Sequence, residues 1–364
     1  MPGYGRRDES GRMRKTLIAV ALIAAALVGQ AGVAVASPAS MKLPAPTGRY
    51  PVGTKELHLV DRDRIDPWTG KAREMMVSLW YPAARNGKPA RQFSPGVADY
   101  YDRLVGPGSA DFASTVTHSR TGAIPLPVRE QAILYSPGAM QSRFLGTALI
   151  EDLASRGYLV IGMDHTPIAP VQFPDRVELP QAGLDPAQVL AERVRDTSFV
   201  LDELGLSRVG MFGHSMGGYT TADAMIADPR IKAGINLDGS MDPRYGNAAR
   251  VGVTRPFLLM GGGTSSGRPR NHRHNDDWAA FWAESTGWKR DVYLPDAEHM
   301  SFTDAQVMLP QVPGDHTGMI GTVDPVGSLA VQRKYVAAFF DLHLRGRSTT
   351  VFDRAAHPVV ELIP

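Results

Sequence analysis

Ser215 stands in the run Gly213-His214-Ser215-Met216-Gly217, with a further glycine at 218. The β-rich segment Val209–Phe212 leads directly into it, and a helix-forming stretch follows. A serine flanked in this way, at a strand-to-helix turn, is a nucleophile elbow by pattern. Side chains at the two flanking positions would collide with neighbouring backbone, and glycine has no Cβ to do so. The turn would push the hydroxyl out at the positive end of a helix dipole. Such a serine is a weak nucleophile until a base takes its proton, so a histidine and an orienting carboxylate must come from elsewhere in the chain.

His299 suits the base. It follows the apolar run Asp291–Leu294, and the turn formers Pro295 and Asp296 place it on a loop beyond the last parallel strand. His214 lies inside the elbow and would pack beside it, and His165, after an earlier strand, could line a pocket. His272, His274, His316, His343 and His357 fall in polar loops or near the C-terminus. His272-Arg273-His274 could be read as a metal pair, but alternating ligands need a strand and this stretch is rich in Gly, Pro and Arg. No metal or other cofactor is expected.

For the acid, the segment after Phe257–Met260 is Gly-Gly-Gly-Thr-Ser-Ser-Gly, with no carboxylate before Asp276. One strand earlier, Leu237-Asp238-Gly239 sets a carboxylate at a strand end. Neighbouring strands lie about 4.8 Å apart, so a carboxylate on either can reach the same imidazole. Asp238 is the expected acid and Asp276 the alternative. The oxyanion formed on attack needs two backbone N–H donors. Met216, next to the nucleophile, supplies one, and Ser136-Pro137-Gly138-Ala139-Met140 supplies the other. Pro137 has no N–H, which leaves Ala139 as the better donor. Met140, Met241, Met300 and Phe302 flank these positions and could line an acyl pocket.

The elements expected to hold these groups alternate. Strand-like runs occur at 131–135, 158–163, 208–212, 232–237, 257–260 and 291–294, with helical segments near 143–156, 186–204, 216–227, 275–286 and 328–345. Short apolar strands alternating with amphipathic helices predict a mostly parallel sheet covered on both faces. Ligands then bind beyond the carboxyl ends of the strands, where the residues above fall. An antiparallel hairpin over 55–60 and 75–80 precedes this unit, and a loop-rich stretch runs to 128.

Residues 1–36 read as a signal peptide, with Arg12, Arg14 and Lys15 ahead of the apolar run Leu17–Val28 and Ala34-Val35-Ala36 before the cut. Arg6-Arg7 hints at twin-arginine export, but Asp8-Glu9 follow where apolar residues are wanted. Residues 37–50 read as an exposed lead-in and 51–364 as one catalytic domain. The formal charge is +2, and without the leader's five basic and two acidic residues it falls to about −1. No global field therefore draws the mature chain to nucleic acid or anionic lipid. The chain has no cysteine, which excludes disulfides and thiol catalysis.

These residues and their flanks resemble the plasma-type platelet-activating-factor acetylhydrolases and their bacterial lipase-like relatives. The resemblance runs from Thr47–Gly53 and Ser78–Pro82 through Tyr135–Gly138, Asp152–Tyr158, the elbow and Leu237-Asp238-Gly239 to Glu298-His299 with Phe302. It implies the α/β-hydrolase fold and calcium-independent hydrolysis of acyl esters of lipids or of simpler short-chain esters, with at most transient contact to a lipid surface. Pro137 departs from the histidine that family members often carry before the oxyanion glycine. The expectation is a secreted serine carboxylic-ester hydrolase working through an acyl-enzyme. A polyester (cutinase-like) or triglyceride hydrolase is the alternative, and a non-catalytic binding protein on the same scaffold lies further off.

Overall fold

The computed structural model describes residues 40–364, apart from 107, 129, 130, 266 and 356. The signal-peptide reading lies outside the described residues. Twelve strands form one sheet: β1 (Ser40–Lys42), β2 (Val52–Ile65), β3 (Ala72–Pro82), β4 (Lys88–Arg91), β5 (Asp111–Thr121), β6 (Gln131–Ser136), β7 (Tyr158–Met163), β8 (Val209–His214), β9 (Ile231–Leu237), β10 (Phe257–Gly262), β11 (Lys289–Leu294) and β12 (Glu361–Ile363). Their spatial order is β1-β5-β2-β3-β7-β6-β8-β9-β10-β11-β12, with β4 on β5. The six strands from β7 to β11 in that order are mutually parallel. This is the α/β-hydrolase architecture expected from the sequence.

The central strands are apolar on both faces because helices cover both. Ile133, Tyr135 and Phe212 point into one core with Phe339 and Phe340 of α6 (Pro325–Arg345). Their neighbours Ala132, Leu134 and Met211 point into the other, with Leu190 and Leu201 of α3 (Pro186–Glu203), Met225 of α4 (Met216–Ala227) and Trp278 of α5 (Asp276–Glu284). Adjacent residues of a strand face opposite ways, so a continuous apolar run feeds two cores. Asp185 caps α3 by accepting from the amides of Ala187 and Gln188, and Pro186 fits its first turn. Asp324 and Pro325 start α6 in the same way, and Gly346 ends it in left-handed backbone.

Two features of the fold depart from the sequence expectation. The stretch before residue 128 is not mainly loop, since it carries β4, β5 and α1 (Pro95–Val105). In β5 the sequence Asp-Phe-Ala-Ser-Thr-Val-Thr-His-Ser-Arg-Thr is polar and half exposed, so it lacks the apolar run that marks the central strands. The lead-in is also not exposed throughout. Met41 and Leu43 are buried, and the Thr47 and Gly48 amides donate to Asp152 at 2.7 Å and Ser155 at 2.9 Å on α2 (Thr147–Ser155).

Register brings the strand ends level. Ser136 pairs with Gly213, Gly213 with Asn236, and Asn236 with Leu259. The residues that follow β6, β8, β9 and β11 therefore emerge along one edge of the sheet.

Candidate active site

At that edge the elbow turns at Ser215, whose φ of 54° is sparsely populated for a residue with a Cβ. Its amide donates to Leu237 O at 2.8 Å, and α4 begins at the next residue. The glycines are required by contact. A Cβ on Gly213 would come within 2.2 Å of the Gly217 backbone, and one on Gly217 within 1.8 Å of Ser136 O.

The Ser215 hydroxyl lies 3.0 Å from His299 Nε2, and His299 Nδ1 lies 2.6 Å from Asp238 Oδ2. A carboxylate only accepts, so Nδ1 carries the proton and Nε2 is left free to take one from the serine. Asp238, also in left-handed backbone (φ 57°), accepts from Gly262 N at 3.0 Å through its other oxygen. Asp238 is 8% exposed and the His299 side chain 43%, so the pair opens to solvent on the imidazole side. Asp276, the alternative acid, is exposed at the start of α5 and has no hydrogen bond to His299.

The loop expected to hold the oxyanion differs from residue to residue in its hydrogen bonds. Gly138 N donates to Gln141 Oε1 at 3.1 Å, and Met140 N donates to Ile168 O at 2.7 Å. The amides of Ala139 and Met216 have no acceptor among the described residues, which leaves both available to a ligand oxygen.

Around this core, the His214 ring lies between two acceptors, Gln141 Oε1 at 2.9 Å and the His299 carbonyl at 2.8 Å, and its single N–H donates to one of them. Burial, with the neighbouring His299, holds His214 well below the usual histidine range, so it stays neutral. Met140 and Met300 are half-buried beside Ala139 and His299, and Gln141 Nε2 reaches Met300 Sδ at 3.4 Å. Met241 and Phe302 differ. At 0% and 1% exposure they are packed inside the cores and offer an acyl chain no surface.

His165 and His272 do not line a pocket. His165 is buried between Asp196 and Ser136, and His272 is bound to Asp291 at 2.8 Å and stacked on Trp282. Among the described residues no three or more His, Asp or Glu cluster so as to hold a metal ion, and no described helix is long and apolar enough to cross a membrane.

Two residues at this site were not singled out from the sequence, Gln141 and Arg193, the latter donating to Ser136 Oγ at 2.8 Å. Gln141 directly follows the oxyanion loop. Arg193 sits within the apolar stripe of α3, four residues after Val189, and a charge on a buried face was the available signal.

A family model described as PET hydrolase-like matches residues 122–307. A ferulic acid esterase from Streptomyces cinnamoneus superposes with a TM-score of 0.78 at 40% identity, covering 90% of this chain and all of that one. A probable 1-alkyl-2-acetylglycerophosphocholine esterase of Arthroderma benhamiae is 28% identical across 89% of this chain and 94% of its own length. The platelet-activating factor acetylhydrolase of Bos taurus is 22% identical over 89% of this chain and 80% of its own.

Proposed function

The chain belongs to the PET hydrolase-like family of α/β-hydrolases and is a carboxylic ester hydrolase, and we propose that Ser215, His299 and Asp238 perform the hydrolysis. The observation that carries this reading is the unbroken line from the Ser215 hydroxyl through the His299 imidazole to the Asp238 carboxylate, at 3.0 and 2.6 Å.

His299 Nε2 takes the hydroxyl proton as Ser215 Oγ attacks the ester carbonyl. Asp238 stabilises the imidazolium that results. The oxyanion is held by the amides of Ala139 and Met216, each worth about 3 kcal/mol in the transition state. His299 then gives its proton to the departing alcohol, leaving an acyl-enzyme. Water attacks next, with the same imidazole as base, and the acid is released.

The substrate reading is a small ester of a short acyl chain, a lipid ester included. Met140 and Met300, half-buried and next in the chain to Ala139 and His299, are suited to such a chain. A second reading, an aromatic carboxylic ester, is favoured by the 40% identity to a ferulic acid esterase and by the PET hydrolase-like match. Export is part of the proposal and rests on residues 1–36 alone.

Ser215→Ala should abolish turnover of p-nitrophenyl acetate and labelling by a fluorophosphonate probe while the far-UV spectrum is unchanged. Full activity in that variant would end the reading. Rates on p-nitrophenyl butyrate, methyl ferulate, tributyrin, a short-chain phosphatidylcholine and a polyester film then rank the substrate classes. N-terminal sequencing of protein from culture medium tests cleavage after Ala36.

A further inference from the structure

Beneath the oxyanion loop lies a second Asp–His–Ser line, sealed from solvent. His165 Nδ1 lies 3.0 Å from Asp196 Oδ2 and its Nε2 lies 3.0 Å from Ser136 Oγ. Asp196, His165 and Ser136 are at most 1% exposed, so no substrate reaches this serine. Asp196 is fixed in turn by Arg73, whose Nε and Nη2 donate to its two oxygens at 3.0 and 2.6 Å, and by Arg64.

Arg193 links this layer to both halves of the proposed oxyanion hole, directly to one and through Thr220 to the other. Its Nη2 donates to Ser136 Oγ at 2.8 Å and to the Pro137 carbonyl, both in the loop that carries Ala139. Its Nε donates to Thr220 Oγ1 at 2.9 Å, and the Thr220 hydroxyl donates to Met216 O at 2.8 Å. One planar guanidinium thus spans from the oxyanion loop to the first turn of α4. The donor directions agree throughout. Asp196 accepts from His165 Nδ1–H, His165 Nε2 accepts from the Ser136 hydroxyl, and Ser136 Oγ accepts from Arg193. Burial, together with the Arg193 charge, pushes His165 down to about 4, so it is neutral and able to accept at working pH.

We infer that Arg193 is a positioning residue for the oxyanion hole, holding the Ala139 and Met216 amides in register through Pro137, Ser136 and Thr220. The physical demand is strict, because preorganised donors stabilise the transition state only when aimed at the developing oxyanion. The two strands behind these donors are already paired, with Ser136 opposite Gly213. The loop and the helix turn leave the sheet beyond that pairing, and there the guanidinium takes over from the ladder. Lysine carries one point donor on a flexible stem and cannot make the same fork.

This inference rests on the reading of Ser215 as nucleophile, and Ser215→Ala is run beside it so that the two can fail separately. Arg193→Met, Arg193→Lys and Thr220→Val are assayed on p-nitrophenyl butyrate and titrated with an aryl trifluoromethyl ketone, which forms a tetrahedral adduct on a serine. Arg193→Met should lower kcat about 10²-fold with KM within twofold, and raise the ketone Ki in parallel. Thr220→Val should lose about fivefold in kcat, and Arg193→Lys should recover only part of the Arg193→Met loss. A purely structural role would lower the melting temperature and leave kcat per folded enzyme and the ketone Ki unchanged, and that outcome overturns the inference. Should Arg193→Met not fold, Thr220→Val decides alone: wild-type kcat and Ki there overturn the inference. Activity surviving in Ser215→Ala would instead remove the premise.

Discussion

The Asp238 carboxylate and the His299 imidazole meet at 2.6 Å, although Asp238 leaves the sheet at the end of β9 and His299 lies beyond β11, two strands away. Left-handed backbone at Asp238 turns the carboxylate across β10, where Gly262 N anchors one oxygen and leaves the other for the histidine.

Asp238→Asn should therefore lower kcat by about four orders of magnitude with the fold retained, since an amide no longer fixes the tautomer. Asp276→Asn should change kcat less than about twofold, because its side chain is exposed and makes no hydrogen bond to the imidazole. Steady-state kinetics on one chromogenic ester reads both. The reverse pattern would move the acid to α5.

Gly217→Ala should yield inactive and largely insoluble protein. The added Cβ would lie 1.8 Å from Ser136 O, a backbone atom of the neighbouring strand that cannot yield without separating β6 from the elbow. Gly183→Ala is the contrast, because that surface glycine meets nothing within 4 Å and only its φ of 79° resists the change. Soluble yield and thermal melting compare the two.

Met140→Ala and Met300→Ala should alter the ratio of kcat/KM between acetyl and octanoyl esters, since both are half-buried and adjoin Ala139 and His299 in the chain. Met241→Ala should leave that ratio unchanged and cost about 2–5 kcal/mol of stability, as expected for a side chain at 0% exposure. Urea denaturation and an acyl-length series separate these outcomes. A shifted ratio in Met241→Ala would return it to the pocket wall.

Stability should fall as pH drops from about 6.5 toward 4, in part through His165. Its folded value of about 4 lies below the usual histidine value of about 6.5, so within that window the unfolded chain binds a proton that the folded chain does not. Between those two values the loss from this group approaches one proton's linkage, about 1 kcal/mol per pH unit. Burial raises the carboxyl of Asp304, which acts with the opposite sign, so the informative quantity is a difference. The slope of the urea midpoint against pH should be flatter in His165→Gln than in the parent. Equal slopes would show that His165 titrates normally.

Much of the architecture was written in local pattern. Gly213–Gly218 after an apolar strand gave the elbow, and the apolar stripe of α3 appeared where Val189, Leu190, Val200 and Leu201 recur. Such signals are legible because backbone sterics and helical periodicity act within a few residues. β5 was not legible, because only three of its eleven residues are buried and its sequence carries no apolar run. Met241 and Phe302 were misplaced for another reason, since nearness to Asp238 and His299 along the chain does not fix which way a side chain points.

The amino-acid order determined which groups could react and at which strand ends they emerge, because those depend on residue type and short-range geometry. Tertiary packing alone decided which carboxylate faces the imidazole and which methionines reach the surface. It also decided that Arg193, on a helix outside the sheet, ties the loop before Ala139 to the turn after Ser215. Such contacts join residues 56 or 27 positions apart, and only the paired strands and packed helices bring them within a hydrogen bond.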